Sequence, residues 1–415
     1  MKKINLSSFK SNKPESAKYF DQLEDSLSAM VDGAMGEPYP SLPHPKRLIE
    51  EKVSLPPFVT SEFFKPYYTK EAGSLLNLQH SLFTGAIFDL DLYSNLLVHQ
   101  FPAISNLYNQ MGVDPHNAVL AGTIEQYHQY NDAPIVEYTE GLIGLLSQTS
   151  STGLDKMPVR YIRSPYNCMY LDFRNAPQLP MMEDEEVVGA YVIERTTQPQ
   201  EISDRHLEYI KNEPSMARLL ESGLLDLNKE MVYLTILLVS HPSDMKHLSD
   251  GYRRTTFSYM FNADTDDDVT IGDIIKGHTG GMVSDTDYSF AQMMSPLSLV
   301  FNSILYMNSN ENERAEIKRG TDLEVKLKQV KNPKKARKLL RQARGNYDSI
   351  RIGKLYKLDG VMSRTGDGWK VEPHIRRGHF RNQRYGKGRA LSKLKWIMPM
   401  PIGEEKAATK TVKMQ

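Results

Sequence analysis

MVYLTILLVS, residues 231–240, decides the fold. Its Val, Tyr, Thr and Ile content and its brevity identify a strand. Three neighbours share that character: VRYIRSPYNCMYLDF (159–173), EVVGAYVIER (186–195) and YRRTTFSYMFN (252–262). The first two are separated by RNAPQLPMMEDE (174–185), a turn-rich loop that makes an antiparallel hairpin the natural connection. Residues 201–226 and 286–306 carry helical periodicity, the second with Pro296 as an expected kink.

Before this block the period is different. Residues 58–148 place apolar side chains at a spacing near 3.6, with Asp114-Pro115 as a helix start and Glu140 to Leu146 closing the helical layer. Residues 1–15 look disordered, Glu15 to Met30 has helical spacing, and 37–57 holds six prolines, which makes it an extended strap. The expected architecture is α+β: a helical N-terminal layer, then a mostly antiparallel sheet with flanking helices, then a basic C-terminal segment. The expected divisions are 1–57, 58–150, 151–310 and 311–415. In the last of these, 311–345 reads as a basic helical segment, SIRIGKLYKL (349–358) as a short strand, and 362–371 as a polar turn region.

The formal net charge of +0 conceals an asymmetry. Residues 314–415 hold 28 Lys and Arg against 9 Asp and Glu, a net of +19, so the other 313 residues carry −19. An acidic body joined to a basic tail points to a polyanionic partner such as nucleic acid. The single cysteine, Cys168, excludes a disulfide framework and a multi-cysteine zinc site, and fits a reducing compartment. Cys168 lies among apolar neighbours in a strand, so a buried inert thiol is expected. The N-terminal stretch has basic residues without an apolar run behind them, and the longest apolar run, 231–239, is about half what a spanning helix needs. A cytoplasmic protein without a membrane segment is the expectation.

The most distinctive text is HIRRGHFRNQRYGKGRALSKLKWI (374–397), which contains eight cations and no acidic residue. Arg376, Arg377, Arg381, Arg384, Lys387 and Arg389 are candidates to neutralise phosphates, and Phe380, Tyr385 and Trp396 to stack on bases or anchor the segment; Lys393 and Lys395 add to the charge. RNA, other single-stranded nucleic acid or an acidic partner would suit this surface. His374 and His379 are candidates for a general acid and base around a phosphodiester, although a spacing of five gives no shared strand face. In ADTDDDVTIGDII (263–275), Asp266 and Asp268 are candidates for a divalent ion, while Val269 and Ile275 replace the glycine and glutamate an EF-hand requires. GHTGG (277–281) lacks the Gly-Lys-Ser/Thr of a phosphate loop and reads as a turn. No zinc spacing, Rossmann fingerprint, nucleophile elbow or kinase set is present, and no cofactor is implied. The twenty methionines fit adaptable packing.

YNCMYLDF with VGAYVIE, FNADTDDDVTIGDII, and EPHIRRGHF with YGKGR and LKWIMP together resemble a phage- and mobile-element-borne family that includes a type V-A anti-CRISPR inhibitor. The positions carrying the resemblance are Tyr170, Asp172, Gly189, Asp266, Asp267, His374, Arg376, Arg377, Gly378, His379 and Trp396. The resemblance implies a regulatory protein that recognises the nascent polypeptide of the type V effector nuclease and lowers its production through loss of the message. It supplies no catalytic residue. Two other classes fit the residues: a nuclease using Asp266 and Asp268 or His374 and His379, and a phage accessory protein whose basic tail contacts DNA. Nothing in the sequence sets the oligomeric state.

Overall fold

The computed structural model describes residues 90–402 with interruptions, the longer ones at 150–155, 243–252, 280–287, 319–324, 336–347 and 354–373. The expected helix at 15–30, the proline-rich strap, residues 58–89 and the polar turn at 362–371 lie outside the described residues.

Among the described residues one sheet of eight strands forms the centre: β1 (Ile135–Tyr138), β2 (Cys168–Asp172), β3 (Pro180–Met182), β4 (Glu185–Thr197), β5 (Met231–Pro242), β6 (Arg253–Asn262), β7 (Arg314–Lys318) and β8 (Asp348–Ile352). Their order is β6-β5-β4-β2-β1-β8-β7, with β3 added beside β4. The β4–β5–β6 meander is antiparallel, and β2 joins it antiparallel through Leu171 opposite Ala190 and Asp172 opposite Gly189. β1 is parallel to both β2 and β8, so a short parallel centre sits inside a mostly antiparallel sheet. Every residue from Met231 to Ser240 is buried, Thr235 and Ser240 among them.

Four expectations are corrected. β1, with the text IVEY, lies within the segment read as helical. Four apolar-rich residues give too little periodicity to separate a strand from a helical turn, and their partners come from distant parts of the chain. β7 replaces the start of the basic helical segment, because RAEIK pairs along DSIRI of β8. Residues 159–162 form a 3₁₀ turn, so the first of the four expected strands begins only at Cys168. β3 lies inside the stretch expected as a loop, where Pro180–Met182 pairs with the start of β4, while β4, β5, β6 and the antiparallel pairing of β2 with β4 are as expected.

Seven helices surround the sheet among the described residues: α1 (Leu90–Gln100), α2 (Pro115–Tyr130), α3 (Glu140–Ser147), α4 (Asp204–Asn212), α5 (Pro214–Glu221), α6 (Ile271–Thr279) and α7 (Tyr288–Ser309). Pro115 opens α2, where a missing backbone donor costs nothing. α7 is buried on all sides from Pro296 to Met307, an arrangement reserved for helices enclosed by other elements. Phe301 meets Tyr259 of β6 at 5.8 Å between ring centroids. Asn302 donates to the carbonyls of Leu146 and Thr149, each at 3.3 Å, tying α7 to the end of α3.

GHTGG departs from its expected turn: Gly277, His278 and Thr279 complete α6. The backbone amide of Met260 donates to His278 Nε2 at 2.9 Å, and Tyr259 meets the imidazole edge-on at 5.4 Å. Burial lowers the His278 pKa to about 4, against the opposing pull of the Glu213 carboxylate. The imidazole is therefore neutral in the folded chain and protonates more readily once unfolded, so stability is full above about pH 6.5 and declines as pH falls towards 4. The expected loss is on the order of 3 kcal/mol across that window. His278→Gln, which keeps an acceptor without a titrating proton, should flatten this part of the profile in denaturant unfolding measured at several pH values.

Candidate functional site

The basic block at 374–397 folds as a clasped hairpin. Two short strands, β9 (His374–Arg376) and β12 (Met400–Ile402), pair antiparallel and bring the two ends of the segment together. Between them, β10 (His379–Tyr385) and β11 (Leu391–Ile397) form a ladder of seven pairs, joined by a tip at 386–390. The base sits against the end of α3: Gly378 bridges Thr149, and a Cβ at Gly378 would lie 2.7 Å from Pro399 Cδ and 2.9 Å from Thr149 Oγ1. Only glycine permits that approach.

Strand alternation gives the hairpin two unlike faces. One face meets the body. Phe380, opposite Trp396, is 5% exposed and stacks on it at 6.3 Å. Trp396 meets Tyr306 of α7 edge-on at 5.1 Å, and its Nε1 donates to Thr149 Oγ1 at 3.3 Å. Asn382 Oδ1 accepts from the Tyr161 hydroxyl at 3.1 Å, and Ser392 Oγ accepts from Arg160 at 2.9 Å. These contacts seat the ribbon along much of its length.

The opposite face is cationic. Arg381 stands opposite Lys395, Gln383 opposite Lys393, and Tyr385 opposite Leu391. Arg381, Lys393 and Lys395 are exposed, as are Tyr385 at 43% and Leu391 at 54%. Lys393 Nζ lies 5.2 Å from the centre of the Tyr385 ring, a cation–π contact, and Arg381 donates to Gln383 Oε1. Like charges directly opposite each other destabilise a ladder, and Arg381 and Lys395 form such a pair.

The structure thus separates the residues expected to bind nucleic acid. Arg381 and Tyr385 share the outer face; Lys387 and Arg389 occupy the exposed tip; Arg384 is exposed beside it at an inner register position; Arg377 is exposed at the base, next to Arg376 in β9. Phe380 and Trp396 anchor the hairpin to the body, whereas Tyr385 is exposed on the outer face. The anchors Thr149, Arg160 and Tyr161 escaped sequence reasoning, since no local pattern marks a residue that receives a hairpin more than 200 positions away.

The remaining candidates are dispersed. His374 belongs to the β9–β12 ladder and His379 to the β10–β11 ladder, opposite Ile397. Asp266 and Asp267 lie outside the described residues, and Asp268 is exposed. Asp273 is engaged locally: its carboxylate accepts from the Thr270 amide at 2.9 Å and hydroxyl at 2.6 Å, while the Asp273 amide donates back at 3.1 Å, a capping box that starts α6. Cys168 is buried, and burial pushes its thiol well above the ordinary range. Among the described residues no group of three or more His, Cys, Asp or Glu side chains is placed to hold a metal ion, and no helix is long and apolar enough to cross a membrane.

Tyr170, Asp172 and Gly189 do converge. Asp172 is opposite Gly189 in the β2–β4 ladder, and Tyr170 lies over the space a side chain at 189 would need. Beside them Glu137 is opposite Asp172 in the β1–β2 ladder. Both carboxylates are nearly buried, at 8% and 6% exposure. Arg174 Nε binds both Asp172 oxygens at 2.8 Å, and Arg351 reaches Glu137 at 3.3 Å.

Residues 137–404, from β1 through the clasped hairpin, match the AcrVA2-like family, described as the anti-CRISPR type V subtype A2 family. This chain belongs to that family. The matched span takes in the sheet, α3 to α7 and the whole basic block, and leaves α1 and α2 on its N-terminal side. Among solved structures, the crystal structure of AcrVA2 is 13% identical, covers 80% of this chain and 96% of its own, and has a TM-score of 0.38. No curated protein matches.

Proposed function

We propose that this protein inhibits type V-A CRISPR immunity from within the host cytoplasm by binding a host polypeptide, while the hairpin contacts RNA or the translation machinery and expression of the effector nuclease falls. Membership of the anti-CRISPR type V subtype A2 family carries this reading, because the match includes both the sheet and the basic hairpin. The hairpin's charge supports the RNA component: eight cations, no acidic residue between 374 and 397, and an unbalanced Arg381–Lys395 pair on the side turned away from the body. The single outer aromatic, Tyr385, suits stacking on one base while the cations follow a phosphate backbone.

The test is co-expression with a type V-A effector in bacteria challenged by a targeted plasmid. Effector protein and its message should both decline and the plasmid should survive. Unchanged plasmid clearance would overturn the inhibitory reading; survival with normal effector and message levels would overturn the expression component alone.

A further inference from the structure

We propose that the outer edge of β6 captures an extended polypeptide segment by strand addition. The inference rests on the reading that a host polypeptide is the target, and it assigns that capture to a particular place.

β6 ends the sheet, and no described strand pairs with it on its outer side. The direction of its free hydrogen-bonding groups follows from one contact. The Met260 amide donates to His278 Nε2, away from β5, so Met260 is an outward-facing residue. In an antiparallel ladder such residues alternate, and the β5–β6 register runs without a shift from Met231–Asn262 to Ser240–Arg253. Arg254, Thr256 and Ser258 therefore also turn their backbone N–H and C=O groups outward. They form a row of donors and acceptors long enough for about five residues of a guest strand. His278 takes the next amide and so marks where the guest ladder stops.

The two edges of this sheet are built differently. β7, at the other end, has five residues and carries Arg314, Glu316 and Lys318, the short charged design that keeps an edge from pairing. β6 has ten residues, and from Thr255 to Asn262 it contains no charge, no proline and no bulge. Arg253 and Arg254 open the strand, and an edge whose remaining residues lack these protections is suited to receiving a strand. On the sheet face behind this edge, Ser258 Oγ and Thr235 Oγ1, opposite it on β5, are buried polar atoms without a hydrogen-bond partner. The fitting partner is thus an unfolded, extended peptide segment recognised mainly through its main chain.

The probe is a set of overlapping peptides covering a type V-A effector nuclease, titrated by fluorescence anisotropy against the full chain. One peptide or a few adjacent ones should bind. N-methylation of the bound peptide should abolish binding at alternate amides and spare the intervening ones. Thr256→Pro and Ser258→Pro, which break no hydrogen bond to β5, should weaken binding about tenfold or more in variants shown by circular dichroism to remain folded. Addition of the peptide should slow hydrogen exchange at the 256 and 258 amides. A methylation scan without alternation would overturn the inference, as would full-affinity binding by folded proline variants. Protection of those two amides in the free protein would overturn it too, because the chain's own residues would then cover the edge. If no peptide binds while the protein still blocks plasmid clearance, strand capture fails and the inhibitory function stands; if it does not block clearance, the functional reading itself fails.

Discussion

Gly189→Val is expected to destabilise the fold by at least about 3 kcal/mol, through overpacking at a site with no room for a side chain. A Cβ at 189 would run into the Tyr170 ring and lie 2.8 Å from the Leu171 carbonyl oxygen. The ring cannot retreat freely: Tyr170 packs edge-on against Tyr191 at 4.8 Å, and Tyr191 in turn meets His128 of α2 at 5.4 Å. The carbonyl is fixed more firmly still, because it belongs to the ladder between β2 and β4. Gly189 also follows a break in the β4–β5 register, where the ladder passes from Val187 to Gly189. Gly189→Ala should show the same defect in smaller form. Combined with Tyr170→Ala, its cost should fall short of the sum of the two single changes, since removing the ring empties part of the contested space. Denaturant unfolding of the four proteins in this cycle measures that coupling.

The second large effect concerns the hairpin. Arg381→Ala/Lys393→Ala/Lys395→Ala removes the three described cations of the outer ladder and leaves the anchoring face untouched. If each neutralises one phosphate of single-stranded RNA, the logarithmic salt slope should fall by about 2, and affinity at 0.15 M salt should drop about fifty-fold. Unfolding midpoints should hold or rise slightly, because the opposed Arg381–Lys395 pair would be gone. Equal RNA affinity for wild type and triple variant across a salt titration would remove the hairpin from RNA binding.

Strands with long β-branched runs, such as VVGAYVIE in β4 and TTFSYMF in β6, declare themselves because their backbone preference and burial agree. β1 does not, since its identity depends on two parallel partners, one of them more than 200 residues later. RAEIK in β7 contains good helix formers, and only its pairing with β8 makes it a strand. The hairpin was half legible. Alternation of Phe380, Asn382 and Arg384 with Arg381, Gln383 and Tyr385 is present in the text, and so is the concentration of charge. Which set turns inward depends on Thr149, Arg160, Tyr161 and Tyr306, whose positions only the folded chain defines. The edge role inferred for β6 follows from the Met260–His278 contact, which the apparent turn text GHTGG concealed.

The clasp formed by β9 and β12 makes the basic ribbon an exchangeable cassette. Its chain enters and leaves through paired neighbours, Arg376 opposite Met400 and His374 opposite Ile402, while Gly378 and Trp396 fix the seat beneath it. Tip residues 386–390 can lengthen, shorten or change charge without disturbing those fixtures.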